Sequence, residues 1–145
     1  MTIQRLLISL SVGVAVVVGL ASCGSDEGQP SAQAVFSRLD PEQFASRMGN
    51  DAAQVINVHI PYEGELERTD AFIPFDRIVG DAQLPADKGS EVLLYCMTGR
   101  MSETASKALN QEGYTNVSHL EGGMKAWEAA GKPLLKKEAA GNDSH

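Results

Sequence analysis

Val92-Leu93-Leu94-Tyr95 is an apolar strand signal that runs straight into Cys96-Met97-Thr98-Gly99-Arg100-Met101-Ser102, and a helical pattern begins near Ser102. A strand, a short turn and a helix in that order form a unit of a parallel sheet, where ligands sit at the carboxyl ends of strands. Cys96 lies at such an end. A thiol there faces successive backbone N–H groups and the positive end of a helix dipole, and both favour the nucleophilic thiolate. Gly99 lets the loop fold tightly with its N–H groups inward, and Arg100 adds a permanent positive charge. A buried, inert thiol is the alternative for a lone cysteine; the loop chemistry favours the reactive one.

The flanking segments continue the alternation of strand and helix. Residues 35–39 form a short strand signal, and Asp40-Pro41-Glu42-Gln43 starts a helix, with Asp as N-cap and Gln43 reaching back. Phe44 and Met48 share that helix's inner face, and Gly49-Asn50 ends it. Gln54-Val55-Ile56-Asn57-Val58-His59 reads as a buried strand, Ile78-Val79 as a brief one and residues 116–120 as the last. Residues 61–77 show little periodicity and read as a connection across the strand ends, a length that tends to carry function. The helix over 102–112 turns Ala105, Ala108 and Leu109 inward and stops at Gly113. Gly122-Gly123 opens a last helix with Met124, Trp127 and Ala130 on one face, Gly131 at its end and Pro133 beyond. The expectation is an α/β fold with a small, mostly parallel central sheet and helices on both faces.

A length of 145 residues suits one domain, and a formal charge of -7 without a Lys/Arg cluster argues against nucleic-acid binding. His59, His119 and His145 are scattered with no paired Cys/His spacing, so neither a metal nor a cofactor is expected. His119 falls in a strand, where neighbours are its expected contacts. At the amino end, Arg5 is the only charge before an apolar run over residues 6–20, which closes in Leu20-Ala21-Ser22-Cys23 and a polar stretch. This resembles a bacterial lipoprotein signal. The resemblance implies cleavage before Cys23, a lipid on that cysteine, and a domain anchored on the extracytoplasmic side of a cell membrane. An uncleaved anchor or an ordinary signal peptide would also export the domain. Residues 1–22 therefore read as signal peptide, 23–33 as a flexible tether, 34–135 as the folded domain and 136–145 as a disordered tail.

Three segments of the folded part carry a second resemblance. They are Val92 to Ser102, quoted above; Ala108-Leu109-Asn110-Gln111-Glu112-Gly113-Tyr114-Thr115-Asn116-Val117; and Leu120-Glu121-Gly122-Gly123-Met124-Lys125-Ala126-Trp127, followed by Gly131-Lys132-Pro133-Leu134. Together they resemble the rhodanese-like domain of single-domain sulfurtransferases. The resemblance implies that Cys96 takes sulfane sulfur from a small donor, thiosulfate or a persulfide, and becomes a persulfide itself. It then passes the sulfur to a thiol acceptor, a protein thiol among the candidates. Backbone amides from Met97 to Ser102 would cradle the thiolate and the persulfide anion. Arg100 would bind an anionic donor or face solvent. Related phosphatases place an arginine six positions beyond the cysteine; here that position is Ser102, which favours a sulfur-sized pocket over phosphate chemistry.

Departures from the family pattern bear on the donor. Many rhodaneses carry arginine at the position of Met101, where it would bind thiosulfate. After the second strand the family commonly has Asp-x-Arg, and this chain has Asn57-Val58-His59. Asn57, which keeps the shape of Asp without its charge, and His59 are both pocket candidates; His59 would serve as acid, base or anion contact, against a histidine satisfied by a local backbone bond. Pro61-Tyr62-Glu63-Gly64-Glu65 and Thr69-Asp70-Ala71-Phe72-Ile73-Pro74-Phe75 replace the family's Gly-His-Ile-Pro segment, and the second of these is expected to rim the site. Phe72, Ile73 and Phe75 suit core positions, and Glu63 and Asp70 suit solvent. The leading reading is an exported, membrane-anchored sulfurtransferase; the alternative is a catalytically quiet binding or redox-sensing module.

Overall fold

The computed structural model describes residues 36–136; the expected signal peptide, the expected tether and all but the first residue of the expected tail lie outside the described residues. In chain order the elements are β1 (Phe36–Leu39), α1 (Pro41–Met48), β2 (Gln54–Asn57), β3 (Ala71–Phe72), β4 (Val92–Tyr95), α2 (Arg100–Gln111), β5 (Val117–Leu120) and α3 (Gly123–Ala129). The strands form one sheet in the order β1-β5-β4-β2-β3, and every pairing is parallel. This is the expected α/β architecture.

Strand β4 sits in the middle and all four of its residues are buried, because the sheet is covered on both sides. Side chains alternate along a strand, so Val92, Leu94 and Cys96 face α2 with Ile56, Val117, Ala105 and Leu109. Leu93 and Tyr95 face the other way, onto Phe44 and Met48 of α1 and Met124 and Trp127 of α3. Phe44 meets Tyr95 and Trp127 edge-on, with ring centroids 6.4 and 6.3 Å apart. Burial pushes the Tyr95 phenol up to about 12. Its oxygen lies 2.6 Å from Thr69 Oγ1 and accepts the Leu66 N–H at 3.2 Å, tying the 61–77 connection to the sheet.

Helix α1 starts on the expected capping box: Asp40 accepts the Gln43 N–H at 2.8 Å, and the Gln43 side chain accepts the Asp40 N–H at 3.1 Å. Several boundaries differ from the sequence reading. Ile78-Val79 is not a strand; the short edge strand is Ala71–Phe72, paired with Ile56 and Asn57. Ile78 instead plugs the core on the α2 side, while Val79 points to solvent. Strand β2 ends at Asn57, so His59 lies on the loop beyond it. Helix α2 starts at Arg100, and its buried face is Ser102, Ala105, Ser106 and Leu109, with Ala108 only half-buried. Ala130 is exposed at the end of α3.

Candidate active site

Cys96 follows the last residue of β4, and its side chain is buried between the sheet and the start of α2. The first N–H groups of a helix lack partners within the helix. Gly99 is the N-cap of α2 and has no side chain to satisfy them. The cysteine does so instead: Sγ accepts the Gly99 N–H at 3.1 Å and the Ser102 N–H at 3.4 Å. Ser102 is the third residue of the helix, so the sulfur occupies the place where a capping oxygen would sit. The Ser102 hydroxyl lies 3.5 Å from Sγ. Three polar hydrogens can therefore converge on one sulfur in a buried site, an arrangement that stabilises negative charge there.

Helix α3 fixes the loop from behind. Its N–H groups at Met124 and Lys125 donate to the carbonyls of Cys96 and Met97 at 2.8 and 3.1 Å. With the carbonyls held toward α3, the loop's amides are free to point at the sulfur. This contact needs a backbone without side chains. Gly123 has φ +61, and a Cβ there would lie 2.3 Å from the Cys96 carbonyl oxygen. The role of Gly122-Gly123 as a contact with the cysteine loop was not legible in the sequence, where the pair reads only as a helix start.

A cavity of about 410 Å³ opens at the sulfur. His59, Phe75, Cys96, Met97, Thr98, Arg100, Met101 and Thr104 line it. Gly99 and Ser102 stand behind the sulfur and do not line the cavity. The Arg100 guanidinium is exposed and forms no ion pair among the described residues, so it offers an unneutralised positive charge at the mouth. Met101 packs partly into the α2-side core and gives the cavity an apolar wall. Phe75, from the long connection, supplies part of the opposite boundary; Ile73 is core and Phe72 is exposed.

His59 is buried, lines the cavity, and is hydrogen-bonded through Nε2 to Glu63 Oε2. Glu63 thus has a specific partner despite its exposure. Asp70 is exposed, as expected of a solvated charge, and also accepts the Val55 N–H at 2.8 Å. Asn57 does not line the cavity. Its side-chain oxygen accepts the His59 N–H at 3.0 Å and its amide donates to the Gly64 carbonyl at 2.9 Å, both buried. It therefore pins the loop that carries His59 and Glu63. Cys23 lies outside the described residues.

Comparison with known proteins follows the same lines. A family model described as the rhodanese-like domain matches residues 40–130. The chain is 34% identical over 104 residues to the protein slr1261 of Synechocystis sp., covering 70% of this chain and 58% of that one. It is 31% identical over 109 residues to a protein of Allochromatium vinosum named sulfurtransferase, covering 72% of this chain and 99% of that one. Among solved structures, the rhodanese-like domain of the Alr3790 protein from Anabaena sp. superposes with a TM-score of 0.60 at 25% identity, covering 74% of this chain and 88% of that one. A parallel sheet that presents a buried cysteine to the first amides of the following helix, matched by the family model over most of the described residues, places this chain in the rhodanese-like family.

Proposed function

We propose that this chain is an exported sulfurtransferase, held at a membrane by a lipid on Cys23, that carries sulfane sulfur as a persulfide on Cys96. The observation that carries the reading is the sulfur itself, buried at the base of a cavity with two backbone N–H groups directed at it. In the first half-reaction the Cys96 thiolate attacks the outer sulfur of the donor. The new Sγ–S bond forms as the donor's S–S bond breaks, and the leaving group departs with that electron pair as a thiolate or as sulfite. The negative charge then rests on the outer sulfur of the Cys96 persulfide. In the second half an acceptor thiolate takes that sulfur, the Sγ–S bond breaks, and the Cys96 thiolate returns. His59 bounds the cavity with Nε2 held by Glu63 and Nδ1 buried, and the acceptor reacts as its thiolate.

The walls favour a donor with a carbon body. Met97, Met101 and Phe75 offer apolar contact, and Arg100 can hold an anionic group at the mouth. Thiosulfate lacks a carbon body, and Met101 gives its oxygens no hydrogen bond. Full-length chain should therefore turn over a low-molecular-weight organic persulfide faster than thiosulfate, with cyanide as acceptor. Met101→Arg should raise thiosulfate turnover about tenfold, the worth of one charge-assisted hydrogen bond. Absence of turnover with either donor would instead support the quiet binding or redox-sensing module. For the anchor, Cys23→Ala should shift the chain from the membrane fraction to the soluble one; unchanged membrane retention would contradict lipidation.

A further inference from the structure

Behind the sulfur lies a second histidine with no assigned role. His119 of β5 is paired in register with Leu94 of β4, which turns its ring to the α2 side of the sheet. There Nδ1 lies 3.3 Å from Ser102 Oγ, and Ser102 Oγ lies 3.5 Å from Cys96 Sγ. Both residues are almost wholly buried, and the imidazole is held against Phe36 at a centroid distance of 5.6 Å. His119 Nε2 has no hydrogen-bond partner among the described residues.

That orphan nitrogen bears on the tautomer. A buried N–H without a partner is rarer and costlier than an unpaired acceptor, which favours the ring proton on Nδ1. A doubly protonated ring would bury both a charge and an orphan donor; burial accordingly pushes His119 below its ordinary range. Nδ1–H then donates to Ser102 Oγ. The Ser102 hydroxyl has one proton and two acceptors in reach, the Gly99 carbonyl at 3.0 Å and the Cys96 sulfur. A donor arriving from the His119 side fills one lone pair of Oγ and makes its own proton a better donor, and a negatively charged sulfur is the stronger of its two acceptors.

We propose that His119 is a positioning residue for Cys96: its Nδ1–H orients and polarises the Ser102 hydroxyl so that Ser102 donates to the Cys96 thiolate. No proton leaves the chain of groups and no bond changes; the histidine stays neutral throughout. The inference extends the sulfurtransferase reading, but its test needs no sulfur donor, so the two can fail separately.

The test is the pH profile of thiolate absorbance in full-length chain, with the Cys96→Ser chain subtracted. Asparagine can place its amide N–H where His119 has Nδ1–H, whereas glutamine places it nearer the Nε2 position. Ser102→Ala and His119→Gln should each move the profile to higher pH, so that thiolate on its acid limb falls about tenfold. His119→Asn should recover most of that loss, and the Ser102→Ala/His119→Gln pair should lose no more than Ser102→Ala alone. Arg38, Glu103 and Glu121 are the charged groups around His119; Lys107 and Arg38 hold Glu103 down to about 2, outside the range measured. His59 and Arg100 share the sulfur's cavity and are the same in every variant. An unchanged profile in His119→Gln, equal losses in the Gln and Asn variants, or multiplied losses in the double variant would each overturn the proposal. Should His119→Gln fail to fold, a folded His119→Asn with the profile of Ser102→Ala would overturn it, and one with the parental profile would support it.

Discussion

Gly123→Ala is expected to destabilise the fold by about 3–5 kcal/mol, adding the strain of a left-handed residue to that of an overpacked contact. The added Cβ would meet the Cys96 carbonyl oxygen at 2.3 Å and the Met97 carbonyl carbon and oxygen at 2.6 Å. All three are backbone atoms of the cysteine loop, so no side chain can rotate away. The loop or helix α3 must move, and movement breaks the hydrogen bonds from Met124 and Lys125 that orient the loop. Gly131→Ala separates strain from collision. Gly131 also has positive φ, at +74, but a Cβ there meets nothing within 4 Å. It should cost only about 1–2 kcal/mol, the backbone term alone. Denaturant unfolding of the two variants measures the difference, and equal losses would contradict the close-approach account.

Cys96→Ser should abolish sulfur transfer, by about a thousandfold or more, with little change in stability. An alcohol is a weak nucleophile without a strong base beside it, whereas the thiolate needs none. The serine oxygen still accepts hydrogen bonds from the Gly99 and Ser102 amides, so the start of α2 keeps its cap. Single-turnover transfer to cyanide measures the first effect and thermal unfolding the second. Residual transfer within tenfold of the parent would mean that another group carries the sulfur.

The parts of this fold legible in the sequence are those fixed by local chemistry. Asp40, Pro41 and Gln43 write the start of α1 within four residues, and the apolar run of β4 followed by Cys96 and Gly99 writes the strand, loop and helix. What escaped depends on partners distant in sequence. Strand β3 is two residues long and exists through its pairing with Ile56 and Asn57, which no local pattern announces. Ile78 looks like strand but serves as a core plug where the long connection folds back. The same divide runs through the site. Cys96, Gly99 and Ser102 lie together in sequence as in space, whereas His119 reaches Ser102 only through the register of β5 on β4. Asn57 took its candidacy from its position in the family pattern, and the structure gives it the separate task of holding the His59 loop.

The central claim is that Cys96 itself holds the transferred sulfur. Full-length chain incubated with an organic persulfide, alkylated and digested, should yield the Cys96 peptide carrying one additional sulfur by mass spectrometry. Cyanide should remove that sulfur, and Cys96→Ser should never acquire it. A Cys96 peptide that gains no sulfur from either persulfide or thiosulfate, in folded protein with its thiol free, would contradict the account.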